Sequence, residues 1–187
     1  PNPSALFLDR RDEDVAGTVV FAGIEGSRPM LMEIQALVAP SALGTPRRAV
    51  VGWDTGRLAM VLAVLDTRCG LAMSGHDVYL NVAGGFSIRE PAADLAVAAA
   101  LISSLAARPL PHDGIVFGEV GLAGEVRPVS QAEARLSEAS KLGFGRAIVP
   151  SRKSSKNTKP TASTMNLNAI GELGSLVDLI YGNDGRQ

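Results

Sequence analysis

Apolar and polar residues alternate along this chain in two rhythms. Over residues 30–38, Met32, Ile34, Ala36 and Val38 alternate with Glu33, Gln35 and Leu37, the period of two that a half-buried strand requires. Residues 18–22 read as its partner across a turn at Glu25-Gly26-Ser27-Arg28-Pro29. Residues 47–53 give a third strand. The run over 58–65 is apolar on every side, with Asp54 or Thr55 placed to cap its helix and Gly70 to end it, which predicts a helix buried on most sides. Residues 78–82 form a short strand ending at Gly84-Gly85. Pro91 suits the first turn of an Ala- and Leu-rich helix over 92–107. A strand over 115–120, a turn over 121–124 and a returning strand over 125–129 follow. Ser130 can cap a helix over 131–142 with Glu133 at its third position, as in a capping box. A strand over 147–149 and a helix over 171–181 close the chain. Strands first, then alternation of helix and strand, predict an α/β (α+β) class: a mixed sheet packed with two or more buried helices.

The 187 residues, 46% of them apolar, with a mean hydropathy of +0.17, suit one globular domain and exclude disorder as the main state. We divide them into a leading segment (1–16), the domain proper (17–150), a flexible basic loop (151–165) and a closing strand and helix (166–187). The longest apolar runs, 58–65 and 95–102, have eight residues each, far short of the roughly 18 that span a bilayer, so no membrane partner is expected. The start, Pro1-Asn2-Pro3-Ser4, carries no signal pattern and reads as that of a cytoplasmic domain cut from a longer protein. A single cysteine, Cys69, excludes an internal disulfide and a four-cysteine zinc site, and no cofactor or metal is expected in this chain.

Charge changes the picture, because it is unevenly spread. Residues 1–140 hold 11 Arg, no Lys and 16 acids; residues 141–187 hold four Lys, three Arg and three acids. No acid lies between Glu138 and Glu172. Arg152, Lys153, Lys156 and Lys159 in that stretch are candidate phosphate contacts, with Arg47, Arg48 and Arg57 as a second group. Eight aromatics, Trp53 the only Trp, argue against a base-stacking platform.

Catalytic motifs are few. The chain has no GxxxxGK[ST] phosphate loop and no GxSxG elbow. His76-Asp77 and His112-Asp113 read as exposed loop tips. The informative stretch runs from Gly84-Gly85 through Pro91-Ala92-Ala93-Asp94 to Gly118-Glu119-Val120-Gly121-Leu122-Ala123-Gly124-Glu125-Val126-Arg127-Pro128. A helix N-terminus favours an anion or a nucleophile, yet Ala92 and Ala93 have no chemistry to offer there.

These residues resemble the proteolytic domain of the Lon protease family, with Pro-Ser-Ala-Gly at a helix start and Gly-Glu-x-x-Leu-x-Gly-x-Val-x-Pro after it. The resemblance puts Ala92 where that family has its nucleophilic serine. It puts Glu133, the fifth residue after Pro128, where the family has its catalytic lysine. A closer likeness, over about residues 2–150, is to the C-terminal Lon-like domain of the RadA (Sms) family of bacterial DNA-repair proteins. It is carried by 2–10, 33–38, 57–60, 77–85, 90–95 and 117–150. This resemblance implies an N-terminal zinc finger and a RecA-like ATPase elsewhere, hence ATP, Mg and Zn in the full-length protein. It also implies a hexameric ring, single-stranded or branched DNA as partner, branch migration of recombination intermediates, and the recombinase RecA alongside. Three readings follow: a non-catalytic scaffold and DNA-contacting domain, a small-molecule-binding or regulatory domain near Gly84-Gly85, and an active Ser–Lys peptidase. Ala92 and Glu133 speak against the third.

Overall fold

The alternation over residues 30–38 becomes the long strand on which the rest is organised. A computed structural model describes residues 14–42, 44–152 and 164–182. Its strands are β1 (Thr18–Glu25), β2 (Arg28–Pro40), β3 (Arg48–Val51), β4 (His76–Val82), β5 (Gly114–Val116), β6 (Glu119–Val120), β7 (Val126–Arg127), β8 (Arg146–Pro150) and β9 (Asn166–Ile170). Its α-helices are α1 (Thr55–Cys69), α2 (Asp94–Ala106), α3 (Ala132–Lys141) and α4 (Leu173–Tyr181). Seven strands make one sheet in the order β3-β4-β2-β1-β5-β8-β9, and β6 pairs with β7 in a separate hairpin. Only β2 runs against its neighbours; β3 is parallel to β4, and β1, β5, β8 and β9 are mutually parallel. The α/β class read from the sequence is the class of the structure. Among the described residues no helix is long and apolar enough to cross a membrane.

On β2, Met32, Ile34, Ala36 and Val38 are buried and Leu37 is exposed, as the period of two requires. Ile34 pairs with Val19 of β1 and with Val82 of β4, which carries the apolar face across three strands. The residues of opposite parity on β1 and the near half of β2, Val20, Ala22 and Leu31, are buried too. Helices α1, α2 and α4 pack against one another, whereas α3 packs on β1 and β2. We therefore place α3 over the second face.

Helix α2 is enclosed: every residue from Asp94 to Ser103 is buried. Its two serines fasten it to the sheet. The Ser103 hydroxyl accepts from the Gly17 N–H at 2.9 Å and donates to the Arg108 carbonyl at 2.6 Å. The Ser104 hydroxyl accepts from the Val38 N–H at 2.9 Å.

Two expectations are corrected. Helix α1 is capped by Asp54, whose carboxylate accepts from the Arg57 N–H at 2.7 Å, and ends at Gly70, as expected. It is not buried on most sides, however. Leu58, Val61, Leu62, Val64 and Leu65 face the core, while Ala59, Met60 and Ala63 face out. Scattered apolar side chains on a surface are ordinary, so these three hid the direction of this helix. The capping box at α3 does not form either. Gln131 takes the cap with φ 58°, and no side chain bonds the first turn.

Candidate functional site

The sequence directs attention to the start of α2, where four parallel strands, β1, β4, β5 and β8, finish nearby. Ligands of open α/β sheets gather at such strand ends. Pro91, with φ preset by its ring, opens a 3₁₀ turn over Pro91–Ala93 that leads directly into α2. Ala92 and Ala93 are buried. The backbone after β5 lies against this turn: the Gly118 N–H donates to the Ala92 carbonyl at 2.8 Å, and the Leu95 N–H donates to the Gly118 carbonyl at 3.0 Å. A Cβ at Gly118 would meet the Leu95 side chain at 3.0 Å and that of Pro150 at 3.1 Å, so any larger residue would push these neighbours aside. Backbone thus lies directly against the turn at Ala92.

Two ion pairs bracket it. Two residues after Ala92, Asp94 is 1% exposed and holds the Arg57 guanidinium in a fork, Nε to Oδ1 at 2.8 Å and Nη2 to Oδ2 at 2.5 Å. Its Oδ2 also accepts from the Val120 N–H at 3.1 Å, and the first turn of a helix favours a carboxylate. The hydrogen bond to Asp94 holds Arg57 above its ordinary pKa. Two residues before Ala92, Glu90 receives Arg135 in a second fork, Nη2 to Oε2 at 2.7 Å and Nη1 to Oε1 at 3.2 Å.

Arg135, itself 1% exposed, donates further to the carbonyls of Ala22 at 2.8 Å and Ser130 at 3.0 Å, and it lies 5.7 Å from the Phe117 ring centre. Glu90 Oε1 also accepts from the Ile24 N–H at 2.7 Å. Gly23 makes room for that carboxylate, since a Cβ there would stand 3.0 Å from Oε1. With the guanidinium buried and the carboxylate half-buried, the forks and carbonyls offset the cost of desolvating the charges.

Glu133, at the position where the resemblance to the Lon family puts a lysine, is exposed. Arg135 lies two residues on, about 200° around the helix, and faces the opposite way. The cation that α3 sends inward is therefore Arg135, a guanidinium bound to a carboxylate and without acceptor capacity for a proton. Sequence reasoning missed it, along with Glu90 and Asp94. The signal available was an arginine beside Leu136 on the buried side of an amphipathic helix.

The basic candidates do not converge. Arg47 and Arg48 lie at the first end of β3, where the Arg47 N–H donates to Asp77 at 2.7 Å. The Arg48 guanidinium is spent on the carbonyls of Arg47, His76 and Met73. Arg57 lies at the opposite end of the sheet, committed to Asp94. Arg152 is exposed two residues beyond Pro150, on the side of the Pro91–Ala93 turn. Lys153, Lys156 and Lys159 lie outside the described residues, as do residues 1–13 of the leading segment.

Residues 43–153 match the model of a family described as subunit ChlI of Mg-chelatase. The chain is also similar to proteins named DNA repair protein RadA. It is 66% identical over 149 residues to that of Brucella abortus (strain 2308), covering 80% of this chain and 32% of the relative. It is 60% identical over 149 residues to that of Pseudomonas aeruginosa, covering 80% and 33%. For Rickettsia bellii the figure is 58% over 147 residues, covering 79% and 33%. The chain spans about a third of the length of these relatives.

Proposed function

The chain belongs to the family described as subunit ChlI of Mg-chelatase, which it matches over more than half its length, and on that premise we propose that it is the Lon-like C-terminal domain of a RadA-type DNA-repair protein. In this reading the domain is a non-catalytic scaffold that contacts DNA. An ATPase elsewhere in the protein supplies the work of branch migration on recombination intermediates, in a hexameric ring that acts beside the recombinase RecA.

The observation that carries the scaffold reading is the Pro91–Ala93 turn. The nucleophile's position is a buried methyl group, the lysine's position points to solvent, and the nearby cations are tied to Glu90 and Asp94. Attack on an acyl group needs a hydroxyl, a base to take its proton and room for the substrate. A turn built this way holds α2, the β6–β7 hairpin and α3 in one fixed arrangement, which suits a platform. High identity to RadA proteins over four-fifths of the chain favours the repair role.

On this platform we assign the DNA contact to Arg152 and the lysines that follow it, Lys153, Lys156 and Lys159. Arg152, the one of the four among the described residues, lies on the side of the domain that carries the turn, and no acid falls between Glu138 and Glu172 in the sequence. Cationic side chains release counterions from the DNA backbone, so binding weakens steeply with salt. The test is DNA binding by the full chain across a salt series. Neutralising these four residues should weaken binding for every sequence and shallow the logarithmic slope by about one for each phosphate no longer neutralised. An unchanged slope removes them as the DNA site.

A further inference from the structure

Helix α3 covers only part of the second face of the sheet. It packs on β1 and β2, whereas the side chains that β3, β4 and the later part of β2 present on that face are exposed. Ala49, Tyr79 and Leu37 stand abreast across the three strands, and Val51, Asn81 and Gln35 form the next row. Leu37 is 59%, Val51 60% and Tyr79 37% exposed. The amides of the second row are joined, Asn81 Nδ2 donating to Gln35 Oε1 at 3.1 Å. The two rows hold no charge. Arg47, which precedes β3 beside Asp77, and Glu33 of β2 stand at diagonally opposite corners of them. A second apolar face lies on α1, where Ala59, Met60 and Ala63 point outward, with Met60 41% exposed. Because α1 belongs to the layer with α2 and α4, the two faces lie on opposite sides of the molecule and cannot meet within one chain.

We propose that α1 of one copy docks on the bare sheet face of the next, as α3 does on the other part of the same face. The inference rests on the ring proposed above and names the surfaces that join it. Charge and length together select this occupant. Helix α1 carries Asp54 at its start and Arg68 at its end, about 21 Å apart at about 1.5 Å per residue. Arg47 and Glu33 are separated by six residues of strand and two strand spacings, about 20 Å by about 10 Å, or about 22 Å on the diagonal. Laid along that diagonal, α1 of the neighbouring copy sets its Asp54 by Arg47 and its Arg68 by Glu33, with its Met60 over the middle of the patch. The reverse orientation sets like charge against like, so the direction is fixed as well. Two different surfaces meet, which makes the contact heterologous: it passes from copy to copy and ends only by closing into a ring.

Light scattering of the full chain across a concentration series tests this, with the unfolding midpoint of each variant as the control for an intact fold. Leu37→Asp blocks the sheet face and Met60→Asp the helix face, and each should raise the concentration at which the chain associates by about tenfold or more. Mixed together, these two variants should form one-to-one dimers and nothing larger, because one free helix face and one free sheet face remain. Charge reversal reads the same contact without touching an apolar side chain. Glu33→Arg and Arg68→Glu should each weaken association, and the two in one chain should restore it. Association that survives both Leu37→Asp and Met60→Asp overturns these surfaces and leaves the ring standing. A monomer at every concentration of the unaltered chain overturns the ring and the surfaces together. A mixture that stays monomeric, or a charge reversal that the second does not repair, overturns the pairing of α1 with the sheet face.

Discussion

The two ends of the sheet handle their polar groups in opposite ways. Where the strands finish, Glu90, Asp94, Arg57 and Arg135 are paired in forks around Pro91–Ala93, and backbone closes over Ala92. Where the strands begin, Glu33, Arg146 and Asn166 line an open trough with exposed Val15 and Leu179 beside them. The end at which α/β proteins usually do chemistry is filled here by ion pairs and backbone contacts. The end that is usually structural is left open. Glu90, Asp94, Arg57 and Arg135 at the closed end are all consumed in pairs, which makes that end a joint between elements.

Substitutions should separate the two ends, and the largest effect belongs to Arg135→Met. It leaves the Glu90 carboxylate half-buried and unpaired, and should cost about 3–5 kcal/mol in denaturant unfolding. Glu90→Gln combined with Arg135→Met should cost less than Arg135→Met alone, because no charge is then stranded. A fully additive pair would mean that the fork contributes no coupling. Arg57→Ala should cost less, about 1–3 kcal/mol, since the arginine is 28% exposed and water can reach part of the space it leaves.

A smaller effect appears with pH. The Arg47 N–H holds the Asp77 carboxyl below its ordinary range, and the backbone N–H of Glu125 itself, aided by Arg127, does the same for Glu125. Carboxyls lowered in the folded state contribute stability above their unfolded values, near pH 4, and lose it as pH falls through the folded ones. Unfolding midpoints followed from pH 7 to pH 2 should therefore decline below about pH 4, less so in Asp77→Asn. At the open end, Asn168→Ala should change stability by no more than about 0.5 kcal/mol. A larger loss there would show that the trough is structural after all.

Much of the architecture was legible because local signals and burial agree. The period of two on β2, Asp54 and Gly70 at the ends of α1, and the breaker-free apolar run of α2 each correspond to an observed element. Failures came where one signal had two meanings. Ala59, Met60 and Ala63 extend the apolar run of α1 yet face water, and Ser130 and Glu133 have the spacing of a capping box although Gln131 takes the cap. The departures at Ala92 and Glu133 were visible in the chain. Their replacement by a network was not, because Glu90 meets Arg135 across 45 residues and Arg57 meets Asp94 across 37. No period or motif encodes pairs of that separation.

The proposal that the Pro91–Ala93 end is a structural joint and not a peptidase site is tested most directly by attempted repair. Ala92→Ser with Glu133→Lys restores both residue types of the dyad without touching Glu90, Asp94, Arg57 or Arg135. Turnover of unfolded protein and of fluorogenic peptides should stay at background in the unaltered chain and in the repaired variant alike. Residue 133 faces solvent, and the serine would lie beneath the Gly118 backbone. Cleavage by the repaired variant that vanishes when the introduced serine is returned to alanine would contradict the account, because the dyad geometry would then have survived.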